Sequence, residues 1–122
     1  MRLKTAAMLL AHAGVGWALC GLTMGIGLAV TSLGAALVVH AIAAPLYFAL
    51  IAWVYFRRSH RTGPLATAAA FTAIIVFLDV FVVALLIERS FAMFSSLLGT
   101  WLPFGLIFLA TWLTGRAAAK AA

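Results

Sequence analysis

Residues 65–87 read LATAAAFTAIIVFLDVFVVALLI, an apolar run with one charged side chain, Asp79, inside it. A helix rising 1.5 Å per residue needs about 20 such residues to cross a hydrocarbon core of roughly 30 Å. The run is long enough, and it lacks the alternation of polar and apolar residues that a transmembrane β-strand would show. A helix, which makes all its backbone hydrogen bonds within the segment, is the structure left for it in lipid. Three further runs of the same kind lie at 5–31, 33–56 and 97–115. The expected fold is an all-α integral membrane protein, an antiparallel bundle of four transmembrane helices forming one polytopic domain over residues 1–122.

Composition agrees with this reading. Hydrophobic residues make up 67% of the chain and charged ones 8%, far from the soluble globular range. The net charge of +6 raises the question of nucleic acid, but the basic residues sit at the ends of the apolar runs and not on one soluble face. The expected partner is the lipid bilayer, and nucleic acid is excluded. Arg2 and Lys4 ahead of an apolar run imitate a secretory signal, yet the run continues well past Ala11-His12-Ala13, so helix 1 is expected to stay as an anchor. The single cysteine, Cys20, offers no internal disulfide and no metal cluster.

Charge placement sets the topology. Arg2 and Lys4 precede helix 1, Arg57, Arg58 and Arg61 follow helix 2, and Arg116 and Lys120 follow helix 4, while Arg89 stands beside Glu88 at the other end. With four spans the three basic clusters share one side, which the positive-inside rule makes cytoplasmic. Both termini are then cytoplasmic, in a multi-pass protein of the bacterial inner membrane. That default follows from the Ala/Gly/Arg-rich composition and the absence of Asn, hence of any glycosylation sequon. Pro64 suits the first turn of helix 3, and short connections make consecutive helices antiparallel neighbours. Trp53, Tyr55 and Trp112 fall at the inner boundary and Trp101 at the outer one, as an aromatic belt does.

An ionisable side chain at membrane depth is costly unless paired or solvated, and it marks a pathway or a site by default. His40 and Asp79 are such residues, and counting from the helix ends puts them about 3 Å apart in depth. Thr72, Ile75, Asp79, Val83 and Leu86 share one face of helix 3, and Ala36, His40, Ala44 and Tyr47 one face of helix 2. Thr23 and Thr100 lie at similar depth, so His40, Asp79, Thr23, Tyr47 and Thr100 form the candidate polar site. An Asp–His pair there handles protons or only fixes helix register. Pro45 and Pro103 are expected to kink helices 2 and 4 near the site. Trp17, near the middle of helix 1, needs a partner for its indole N–H within the bundle.

Helix 1 carries Gly14, Ala18, Gly21 and Gly25 on one stripe, the small-residue pattern that lets helices approach closely. These four are the expected packing residues, within the bundle or at the seam of a parallel homodimer; His12, Gly16, Leu19 and Thr23 form a more polar face. His12 and His40 differ by about 18 Å in depth, too far to share one metal or haem. His40 with Met24 is the remaining haem ligand pair and the least favoured reading. No nucleophile–base set, phosphate loop or Glu-x-x-His motif is present, so no catalytic residue, metal or cofactor is expected. The leading reading is a small membrane protein without enzymatic activity, transporter-like or a subunit of a larger membrane assembly. The alternative is an intramembrane enzyme acting on a lipid or quinone, with His40 and Asp79 as an acid–base pair.

Overall fold

A computed structural model describes residues 3–58, 62–87, 89–96 and 100–121, with backbone alone at 93 and 119–121. Its described secondary structure is helical throughout. Helix α1 runs Leu3–Val30, α2 Leu33–Arg58, α3 Pro64–Leu78 and α4 Leu102–Ala121. α3 continues into a π-helical segment, Asp79–Ile87, and a short 3₁₀ turn, Ala92–Ser95, precedes α4. Three spans, α1 with 28 residues, α2 with 26 and Pro64–Ile87 with 24, are long and apolar enough to cross a membrane; the apolar part of α4, Leu102–Ala118, is shorter.

Local chemistry sets the ends. Thr31 turns back on α1, its N–H and Oγ1 both donating to the Gly27 carbonyl at 2.8 and 2.6 Å. Ser32 then caps α2, its Oγ accepting the Ala35 N–H at 3.2 Å. Gly63 precedes α3 in extended conformation with Pro64 in the first turn, where a missing N–H costs nothing. The expected start of the fourth helix, 97, lies outside the described residues; helical winding is already present at Thr100 and Trp101, directly ahead of α4, and the Thr100 N–H donates to the Ser96 carbonyl at 3.2 Å. Pro45 lies inside α2, which continues through it.

α1 packs on α2, α2 on α4, α4 on α3 and, less closely, α1 on α3. Around the bundle the order is α1, α2, α4, α3. Two antiparallel hairpins, α1–α2 and α3–α4, are therefore joined so that α2 and α4 run in the same direction, as do α1 and α3. This corrects the expectation that consecutive helices are all neighbours: α2 and α3 stand diagonally opposite. Gly115 of α4 makes the diagonal passage feasible. A Cβ there would lie 2.7 Å from the Phe56 ring of α2 and 2.8 Å from Pro64 of α3, so only glycine lets the two close over α4.

Across the diagonal the core is aromatic. Phe71 of α3 meets Phe48 at 6.1 Å and Tyr55 at 5.6 Å between ring centroids, both edge to face, a geometry worth about 0.5–1.5 kcal/mol per pair beyond area burial. Tyr55 is fully buried, so it belongs to this core and not to an interfacial belt. The outward faces are as apolar as the core. On α2, Ile42, Leu46 and Leu50 are 61%, 65% and 65% exposed, an all-round apolarity compatible with a helix in a membrane. Lys4, Arg57, Arg58 and Arg116 are exposed at the end marked by Phe56 and Gly115, and Arg89 at the opposite end. Arg2, His60, Arg61 and Glu88 lie outside the described residues, as does the Lys120 side chain.

Candidate functional site: a cavity beside Asp79

The seam between α1 and α2 decides where open space remains. His12 stands edge-on to Tyr55 at 5.3 Å, the Phe48 ring fills the place of a Gly16 side chain, Thr23 Oγ1 and Tyr47 Oη share a hydrogen bond of 2.8 Å, and Gly27 abuts Ala36. The face expected to be the polar one is thus the packing face. Gly14, Gly21 and Gly25 have nothing within 4 Å of the position a Cβ would take, and Ala18 is exposed. The expected packing stripe makes no close helix contact inside the chain. Two small-residue stripes run along α1, and the one through Ala13, Gly16, Cys20 and Gly27 received α2.

The unfilled stripe forms one wall of a cavity of about 1160 Å³. Ala18, Gly21 and Gly25 line it from α1, His40 from α2, Asp79 from α3, and Thr100, Pro103 and Phe104 from the start of α4. At its inner end the Trp17 indole Nε1–H donates to Asp79 Oδ1 at 3.0 Å. This meets the requirement that Trp17 find a partner in the bundle, and that partner is the acid within the apolar run of α3. His40 faces the same cavity, and its Nδ1 is buried without a hydrogen-bond partner. Contacts of Gly16 with Phe48 and Gly27 with Ala36 set His40 opposite residues 23 and 24 of α1, about 9 Å along the axis from Trp17. Acid and imidazole share the cavity, and Trp17 supplies one hydrogen bond to Asp79.

π-helical winding aligns the acid with its neighbours. Positions four apart advance by about 40° in an α-helix and fall back by about 30° in a π-helix of roughly 4.4 residues per turn. The change of winding at Asp79 therefore keeps Ile75, Asp79, Val83 and Ile87 on one line, and all four face the cavity. The α-helical count had placed Leu86 and Thr72 on this face. Leu86 instead is 70% exposed, and Thr72 lines a separate groove of about 540 Å³ with Phe77, Phe81 and Phe108. Arg89 ends the segment with φ 54°, and the Ser90 N–H reaches back to the Ala84 carbonyl at 2.8 Å. That bond spans six residues, one more than in the corresponding end of an α-helix.

The remaining polar groups divide between the two ends. Thr100 is buried in the cavity wall, and Ser90 and Ser96 line its outer end, two positions the sequence reading did not single out. Tyr47 and Thr23 satisfy each other, and Thr23 Oγ1 also donates to the Leu19 carbonyl at 2.9 Å. At the basic end Tyr55 Oη, Thr62 Oγ1 and Thr67 Oγ1 form a chain of 2.7 and 2.6 Å bonds, with Thr67 Oγ1 donating to the Gly63 carbonyl. His12 belongs to that end, its Nδ1–H donating to the Met8 carbonyl at 2.7 Å. His12 and His40 thus face different regions. Among the described residues no cluster of three His, Cys, Asp or Glu could hold a metal ion.

No family model, curated protein or solved structure matches this chain. The chemistry open to the site follows from its geometry. A carboxylate at the inner end, fixed by an indole, faces a mostly apolar space large enough for a small molecule.

Proposed function

We propose that this protein is a four-span, transporter-like membrane protein that takes a small amphipathic molecule into the cavity between its helices, with Asp79 as the polar anchor. The observation that carries the reading is the Trp17–Asp79 hydrogen bond in the wall of a cavity of about 1160 Å³. An ionised or hydrogen-bonded acid at membrane depth is costly to keep unless it serves a site. The small residues Ala18, Gly21 and Gly25 supply the space, and Thr100, Ser90 and Ser96 give a polar route from the acid to the outer end. The basic residues at the opposite end support an inner membrane orientation with cytoplasmic termini.

Cysteine accessibility tests the reading. Gly25 and Val38 lie at the same level, one in the cavity wall and the other exposed on the outer surface of α2. In a Cys20→Ser background, a small membrane-impermeant thiol reagent applied outside should modify Gly25→Cys at least tenfold faster than Val38→Cys. Equal rates, or an inert Gly25→Cys, would refute an outward-opening cavity.

A further inference from the structure

We infer that the occupant of this cavity is a lipophilic carbonyl compound, a ketone, quinone or ester whose C=O oxygen accepts a hydrogen bond from His40; this rests on the cavity being a ligand site. The imidazole lines the cavity and is half-buried, and its Nδ1 is buried with no hydrogen-bond partner. The accessible edge of the ring is then the one across from Nδ1, which carries Nε2. The buried nitrogen decides where the proton sits. Imidazolium and the Nδ1–H tautomer both bury an N–H without an acceptor, at the full cost of its desolvation. The Nε2–H tautomer leaves no N–H in that position, and it makes His40 a hydrogen-bond donor to the cavity.

The surroundings of His40 select what meets that donor. Leu33 and Leu37 line the cavity from the preceding turns of α2, and Met24, Gly25 and Leu28 line it from α1. A carbonyl oxygen accepts the N–H and brings no donor of its own. A hydroxyl accepts it too, but its own O–H then faces the apolar side chains of these two walls, and an unmet donor there costs free energy. A carboxylate brings a desolvated charge to a single neutral donor, and an ammonium has no lone pair with which to accept the bond. The apolar body of the ligand has room along α1, where no atom stands within 4 Å of the position a Cβ would take at Gly21 or Gly25.

Three probes of one chain length separate the possibilities: 2-decanone, 2-decanol and decanoate, each titrated calorimetrically into the protein in nanodiscs of ether-linked phospholipid, which supplies no ester carbonyl. Empty nanodiscs are the reference. The ketone is expected to bind at least about tenfold more tightly than the alcohol or the carboxylate. His40→Leu should remove this preference, His40→Gln, whose amide N–H donates, should keep it, and NMR of the imidazole nitrogens should show the Nε2–H tautomer. Repeating the titration in ester-linked lipid identifies the source of the carbonyl: an unchanged ketone affinity assigns a free ketone or quinone, and a weakened one the acyl ester of a competing bilayer lipid. The double variant Gly21→Leu/Gly25→Leu, which fills the open space, should abolish binding of all three with the fold retained by circular dichroism. Equal affinity for ketone and alcohol, a ketone preference that survives His40→Leu, or an Nδ1–H tautomer, with binding lost in the filled variant, would overturn the carbonyl ligand while leaving the cavity as a site. Binding that survives the filled variant, or that no probe shows, would overturn both.

Discussion

Asp79 is the residue on which this molecule turns, and its hydrogen bond from Trp17 gives a measurable coupling. Removing one partner leaves a buried polar group unsatisfied, whereas removing both costs less than the two single changes summed. Trp17→Phe and Asp79→Ala, singly and together, should therefore show a coupling of about 1–3 kcal/mol in thermal or denaturant unfolding in one detergent. Additive effects would mean that the bond does not form. The sequence alone showed that Asp79 and Trp17 each needed a partner, but not that they were each other's. Depth counting ranks partners by level, and His40, Thr100 and Cys20 all stood near enough. What decides the pairing is helix rotation, which a count along the axis does not contain.

Among the helices, the reading of boundaries was the easier part. Apolar length located four helices, three of them long enough to cross a membrane, while the expected start of the fourth at 97 lies outside the described residues. The faces were harder, for two physical reasons. α1 carries two small-residue stripes about 140° apart at 3.6 residues per turn, and periodicity does not say which one a neighbour will take. α3 changes to π winding at Asp79, which rotates every later position away from its α-helical place. The close-packed glycines make a prediction of their own. Gly16→Ala drives a methyl into the Phe48 ring, and Gly115→Ala drives one against Phe56 and Pro64. Overpacking of this kind costs about 1–3 kcal/mol, so both variants should melt earlier in detergent. Gly14→Ala, with open space around it, should melt within about 0.5 kcal/mol of wild type. A reversed order would mean that α1 presents a different face to α2.

The whole molecule has its described basic residues, Arg89 apart, gathered at one end, apolar flanks, and a cavity toward the other end. Orientation follows from the charges: a cysteine introduced at Ser59 should resist an impermeant thiol reagent in intact cells, and ready labelling there would invert the topology. The order of the helices around the bundle was not legible in the sequence, because the short connection between α2 and α3 pointed to neighbours, yet the two stand diagonally with Phe56 and Pro64 both meeting Gly115 of α4. That order makes α2 and α4 parallel neighbours and leaves α1 free along the face that walls the cavity. The cavity itself can be tested at Ala18, which lines it and is exposed, whereas the native Cys20 is buried. The decisive measurement is the rate at which a small maleimide modifies Ala18→Cys in membranes, in a Cys20→Ser background with and without Gly21→Leu/Gly25→Leu. An open cavity predicts a measurable rate that falls at least tenfold when the two leucines fill the space; an unreactive Ala18→Cys, or equal rates in both proteins, would contradict it.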